Sequence, residues 1–404
     1  MKNKTLGSTL LVAGTTIGAG MLAMPITSAS MGFGFTVMLL LILWLLLSYS
    51  ALLFIEVYQT AQIDAGLATL AEQYFGRFGR ILSTFSLLVF MYAILSAYVT
   101  GGGSLIGGLL PVFESEQTAS QIGIILFTVV LGIFIIIGTS GVDAVNRLFF
   151  FSKLAVFMFV LFMMLPKVRL ENLMAMPLNH ALMLSAAPVF FTSFGFHVVI
   201  PSIVKYLAGD IKRLKIAIIG GTGIPLLAYL LWQLSTHGVL SQSQFLQILQ
   251  QDPTLNGLVN ATREITGSAV LSEAVRLFSS LALITSFLGV SLSLFDCLND
   301  LLYRVKVRSN RLLLGVLTFL PPLVFALFYP EGFIMALGYA GIMFAFYGLV
   351  LPVGLAWKAR RLHPNLTYRV WGGNIALVLA LLLGILIIVI PFLIEAGYLP
   401  KVIG

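Results

Sequence analysis

Polar residues punctuate this chain, and between them run eleven long apolar stretches. They fall at roughly 6–30, 33–57, 81–108, 120–138, 147–166, 181–204, 214–237, 271–302, 311–329, 332–356 and 374–395. Each approaches or exceeds the roughly 20 residues with which a helix crosses the hydrocarbon of a bilayer. The pattern predicts eleven transmembrane helices joined by short loops, with no soluble domain inserted. The longest polar stretch, 238–270, keeps a helical repeat of apolar residues: Phe245, Leu246 and Leu249, then Leu255, Leu258 and Val259. That repeat predicts helices lying along the membrane rim.

Composition agrees and removes other classes. Of the 404 residues, 59% are hydrophobic and 9% are charged, against about a quarter charged in a soluble domain. Such a chain cannot cover a water-facing surface, so its solvent is lipid. The net charge of +8 comes from basic residues scattered singly or in short loop clusters, without the basic stripe that nucleic acid requires. The one cysteine, Cys297, can form no internal disulfide. The opening Met1-Lys2-Asn3-Lys4 mimics a secretory signal, but the apolar run continues past Pro25 and ten comparable segments follow.

Cytoplasmic loops carry an excess of lysine and arginine. With the N-terminus inside, eighteen basic residues, from Lys2 and Lys4 to Arg369, face the cytoplasm. Five, Lys167, Arg169, Arg263, Arg276 and Lys401, face the other side. The expected topology is N-terminus in, C-terminus out.

Two segments are interrupted at mid-span. The first contains Gly14, Thr15, Thr16, Gly18 and Gly20 within seven residues, with Pro25 beyond. The sixth contains Thr192, Ser193, Phe194, Gly195, Phe196 and His197 between Pro188 and Pro201. Non-helical backbone at that depth is tolerated only against protein or a water-filled cavity. Five segments precede the sixth, and because five is odd the second set of five enters the membrane from the opposite face. Matching breaks in the first helix of each set point to an inverted-repeat transporter. The expected organisation is a single transporter domain over 1–404: a first repeat over 6–166, an inverted second repeat over 181–356, and an additional helix over 374–395. The alternative is that Ser8, Gly14 and Gly18 only let helices pack closely.

Such breaks suit a zwitterion. Free N–H groups and the positive end of the half-helix after Gly18, Ala19 and Gly20 attract a carboxylate. Released carbonyls near Thr16, Ile17, Thr192 and Ser193 can accept from an ammonium group. Phe194 and Phe196, flanking Gly195, are candidates to wall an aromatic side chain.

The residues at these breaks also carry a resemblance. The run GTTIGAGMLAMP, Gly14 to Pro25, and the run FTSFGFH, Phe191 to His197, resemble the first- and sixth-helix motifs of the hydroxy/aromatic amino acid permeases. That family belongs to the amino acid–polyamine–cation superfamily. TSFLG from Thr285, FYPEGF from Phe328, ALGYAG from Ala336 and the opening MKNKTLG extend the similarity along the whole chain. Within the family the chain is most similar to the bacterial tyrosine-specific branch. The resemblance implies a LeuT-like five-plus-five inverted repeat, a bacterial inner membrane, and uptake of an aromatic amino acid, tyrosine foremost, by proton symport. The alternatives are sodium coupling or a broader range that includes tryptophan, phenylalanine and serine.

Lys153 lies in the fifth segment, about 10 Å along the helix from Arg147. An ionisable group inside a span is a functional candidate, although lysine can also snorkel to the headgroups. The resemblance implies that this lysine approaches the first break and carries the coupling proton, where sodium-coupled relatives hold their ion. Thr285 and Ser286, with carbonyls near Gly14 and Ile17, form the alternative oxygen site for sodium. His197 reads equally as proton relay, as partner of a substrate hydroxyl, or as a packed group. Glu56, Asp296, Asn299 and Asp300 read as solvated or salt-bridged gate residues. His180, His237 and His363 lack ligand spacing, so no metal site and no cofactor is expected. No catalytic constellation appears, and a channel calls for a repeated filter or a ring of like charge; neither a channel nor a non-transport membrane protein needs paired breaks. The expected partners are a small amino acid and the bilayer.

Overall fold

The computed structural model describes residues 4–110, 115–304 and 306–402; Lys2, counted above among the cytoplasmic charges, and the rest of the Met1–Asn3 opening lie outside them. The described residues are helical with short connections, and they contain no strand. In chain order the helices are α1 (Lys4–Thr16), α2 (Gly20–Ser28), α3 (Phe33–Tyr58), α4 (Leu67–Gly107), α5 (Glu116–Ile137), α6 (Thr139–Met164) and α7 (Leu170–Leu173). They continue with α8 (Leu182–Ser193), α9 (Ile200–Tyr206), α10 (Ile211–Val239), α11 (Gln242–Gln251), α12 (Leu255–Thr266) and α13 (Ala269–Arg304). The last four are α14 (Arg311–Phe328), α15 (Phe333–Ala345), α16 (Leu351–Leu362) and α17 (Gly373–Glu395). Among the described residues ten spans are long and apolar enough to cross a membrane, and α1 with α2, bent by 50°, makes the eleventh. Each expected segment is found. Helices dominate because in lipid every backbone polar group has to be satisfied within its own segment.

Three departures have physical causes. The third span starts at Leu67, not 81, because about two and a half turns of helix precede Gly76, whose φ of 66° kinks α4; a side chain at that residue would be strained. The tenth span is α15 and α16 joined by a π-helical turn, Phe346–Val350. The 238–270 stretch is two helices, α11 and α12, which bury Phe245, Leu246, Leu249, Leu255, Leu258 and Val259. The left-handed Gly267 ends α12.

The packing repeats between the halves. In the first half α4 packs on α5 and α15; five spans later α13 packs on α14 and α6. Where α10 packs on α1 and α2, α3 packs on α8 and α9. Each of α2, α3, α4 and α5 also touches its own counterpart, α8, α10, α13 and α14. This exchange of partners is what a five-plus-five fold requires, with α17 added against α15 and α8. The broken spans lie at the centre. All nine residues of α2 are buried, whereas only Ser8, Val12, Ala13 and Thr16 of α1 are.

Candidate functional site

Both breaks are real interruptions of the hydrogen-bond ladder. In the first, Ile17 N still reaches Ala13 O at 2.9 Å, after which the ladder restarts with tight bonds from Met21 N to Gly18 O (3.3 Å) and Leu22 N to Ala19 O (3.0 Å). In the second, Phe194 N and Gly195 N turn back onto Phe191 O and Thr192 O, and helix resumes at α9 after one 3₁₀ turn, His197–Val199. The two meet at Gly20: a Cβ there would stand 2.8 Å from Ser193 Oγ and 3.0 Å from Ser193 Cα. Glycine is needed for that approach.

The released carbonyls already have donors. Lys153 is 2% exposed, and its ammonium turns into the protein, donating to Ile17 O at 2.8 Å and to Thr285 Oγ1 at 3.4 Å. It does not snorkel outward. Thr285 passes its own hydroxyl proton to Leu281 O or Ala282 O, leaving the oxygen to accept. Beside it, Ser286 Oγ accepts from Ala19 N at 2.9 Å. Lysine on α6, the α1–α2 break and the hydroxyl pair of α13 thus form one cluster, and the place considered for sodium holds an ammonium group.

A second donor bridges the two breaks. Tyr229 of α10 is fully buried, and its hydroxyl lies 2.7 Å from both Thr16 O and Ser193 O. Its single proton serves these carbonyls in turn. One turn on, Trp232 Nε1 donates to Met21 O at 3.1 Å. Tyr98 of α4 brings its hydroxyl beside Ser286. Sequence reasoning passed over these three. The available signal was a tyrosine and a tryptophan three residues apart at mid-span, on one helix face and away from the interfaces where such residues usually anchor.

The remaining candidates separate. Phe194 sets its ring 5.0 Å from that of Tyr229, beside the first break. Phe196 and His197 turn instead toward α3 and α15: the imidazole packs on Phe196 at 4.6 Å, Phe344 at 5.3 Å and Phe54 at 6.2 Å. It is completely buried, and neither ring nitrogen has a hydrogen-bond partner. The hydroxyls of Thr192 and Ser193 are held by carbonyls of their own helix, Pro188 O and Val189 O. Thr192 also reaches Leu337 O at 3.0 Å.

A polar stripe leads away from the site. Ser286, Gly289, Ser293, Asp296 and Asp300 repeat on one face of α13, and the last four are exposed, as is Asn299. Thr15 on α1 is exposed as well. Carboxylate and amide groups of this kind lie where water reaches them, toward the end bearing Arg304. Glu56 differs: it is wholly buried and held by Arg360 through two bonds of 2.6 and 2.9 Å, with a third from Val370 N at 3.0 Å.

Two broken spans around a cluster of backbone polar groups form a carrier's geometry, and the comparisons with known proteins agree. A model of the tryptophan/tyrosine permease family matches residues 1–391. The chain belongs to that family. Over its whole length and theirs, the permease is 62% identical to tyrosine-specific transport system 1 and 63% identical to tyrosine-specific transport system 2 of Haemophilus influenzae. The tryptophan-specific transport protein of the same organism is 32% identical, over 99% of the permease and 98% of that protein. Among solved structures, a manganese transporter from Eremococcus coleocola superposes with a TM-score of 0.62 at 16% identity, covering 97% of the permease and 86% of that chain. A nucleobase–cation-symport-1 family transporter in a closed conformation superposes with a TM-score of 0.54 at 16% identity, covering 98% and 93%. At that identity the likeness concerns the fold alone. The permease is a multi-pass membrane protein with the LeuT-like fold.

Proposed function

We propose that the permease imports an aromatic amino acid, L-tyrosine foremost, by proton symport with alternating access, in a bacterial inner membrane with its N-terminus cytoplasmic and its C-terminus periplasmic. The observation that carries the coupling is the Lys153 ammonium between Ile17 O and Thr285 Oγ1. Protonated, it pins α6 and α13 to the released end of α1. Deprotonated, it loses its charge and a donor, and the hold on the inner half-helix weakens. A sodium ion would have to displace that ammonium, which favours the proton over the Thr285–Ser286 alternative. For the substrate, the free second lone pairs of Thr16 O and Ser193 O can accept from an ammonium group. The N-terminal end of α2 draws the carboxylate. Phe194 stands beside this point as the aromatic wall. Tyrosine over tryptophan rests on identity to the Haemophilus tyrosine systems being about twice that to the tryptophan protein.

The test is uptake of radiolabelled tyrosine into proteoliposomes under an imposed pH gradient or an imposed sodium gradient, with tryptophan, phenylalanine and serine as competitors. The expected result is accumulation under the pH gradient alone, with unlabelled tyrosine as the strongest competitor. Accumulation that needs sodium would transfer the coupling to Thr285 and Ser286. Folded protein that moves no aromatic amino acid would remove the substrate assignment and leave the fold intact.

A further inference from the structure

Of the cavities that lie away from the breaks, one has two chemically distinct ends. A groove of about 750 Å³ runs between the start of α4, the π turn, α16 and α17. Its walls include Phe78, Leu82, Val350, Leu351 and Leu381, and Gly79 and Gly354 leave its floor without side chains. Walls of this composition make dispersion contacts with an apolar guest and offer it no polar group to desolvate. At one rim the chain reads Trp357, Lys358, Ala359, Arg360, Arg361. These three cations are not equivalent. Arg360 turns inward and is neutralised by buried Glu56. Lys358 donates to Tyr74 O at 2.7 Å and stands 4.5 Å over the Phe75 ring, which leaves two ammonium protons free. The Arg361 guanidinium lies 5.8 Å from the Trp357 ring. Among the described residues neither Lys358 nor Arg361 meets a carboxylate, and the groove lining contains no acidic side chain.

We propose that this groove is a binding site for one anionic phospholipid, its acyl chain along Phe78, Leu82 and Leu381 and its headgroup phosphate on Lys358 and Arg361. The chemistry is complementary at both ends. An apolar slot opens to the lipid side of the bundle, and two unpaired cations stand at its mouth beside a tryptophan, the residue that favours headgroup depth. A zwitterionic lipid carries the same phosphate but offsets it with the cation of its own headgroup, so it would fill the slot equally well and gain less at the rim. The site is independent of the transport reading, since none of its residues touches the breaks.

Trp357 provides the probe. The full-length protein is titrated in detergent micelles with phosphatidylglycerol or phosphatidylcholine carrying brominated acyl chains, which quench tryptophan at contact. The chain has four tryptophans, so the signal is the difference between wild type and Trp357→Phe. Phosphatidylglycerol is expected to quench the Trp357 component at roughly ten- to thirtyfold lower lipid content than phosphatidylcholine, the size expected of two basic side chains near a headgroup. Lys358→Gln combined with Arg361→Gln should bring the two titrations together while Trp357 remains quenched and the melting temperature holds. Equal titrations in wild type, a preference that survives the double substitution, or no Trp357 component with any lipid would each overturn the proposal. So would relief of quenching by free glycerol phosphate, which would assign the rim to a soluble anion.

Discussion

At the scale of single residues, two buried side chains that bond backbone carbonyls at the breaks carry the most specific expectations. Lys153→Met removes the ammonium between Ile17 O and Thr285 Oγ1. Tyrosine-for-tyrosine exchange should persist while accumulation under a pH gradient is lost; undiminished accumulation would show that the proton rides elsewhere. Tyr229→Phe deletes one oxygen and leaves two buried carbonyls, those of Thr16 and Ser193, without their donor. A buried group left unsatisfied costs about 1–3 kcal/mol, so the variant should melt earlier, and its KM for tyrosine should rise more than its maximal rate falls. Lower stability with KM unmoved would make Tyr229 a structural tie only. Lys153 was legible in the sequence because a charge inside a span stands out against apolar neighbours. Tyr229 was not, because a buried tyrosine in a chain with 13 of them looks the same whether it packs or bridges.

Elements add constraints that no single residue contains. The crossing of the two broken spans depends on Gly20 facing Ser193, and Gly20→Ala should push α2 away from α8. Overpacking of this kind costs about 1–3 kcal/mol, and here it should also lower uptake at least tenfold, because the N-terminal end of α2 is displaced; wild-type kinetics in Gly20→Ala would mean that the approach is looser than 2.8 Å implies. The Glu56–Arg360 pair joins the C-terminal end of α3 to α16. Glu56→Gln should destabilise by up to about 3 kcal/mol, because the Arg360 guanidinium left behind keeps only the carbonyls of Gly373 and Val370 as acceptors. The double variant Glu56→Gln/Arg360→Gln should recover part of that loss in a thermal-melting cycle. Helix breaks at Gly18–Gly20 and Phe194–Phe196 were readable from glycine, threonine and proline at mid-span. The kink at Gly76 and the π turn at Phe346–Val350 were not, since neither interrupts the apolar pattern from which spans are read.

For the whole molecule, the polar face of α13 is where the proposed transport cycle can be tested. The exposed residues Gly289, Ser293 and Asp296 are the ones that a carrier open at the end bearing Arg304 would present to water. In a background with Cys297 replaced by serine, Ser293→Cys should react with a membrane-impermeant thiol reagent added from the cytoplasmic side, and saturating tyrosine should change the rate. Labelling only from the opposite side would reverse the orientation taken from the basic loops. The amino-acid sequence by itself determined the number of spans, where two of them break, and the expected orientation. All three follow from local rules: lipid makes each crossing satisfy its own backbone, and the run length, the helix breakers and the loop charges are each read within one segment. Only the tertiary structure decided which groups meet at the breaks. Lys153 reaches a carbonyl 136 residues away and Tyr229 one 213 residues away. Which face of α6 or α10 turns toward the first span is set by the packing of the five-span halves against each other, and both faces of those helices are apolar enough to have turned either way.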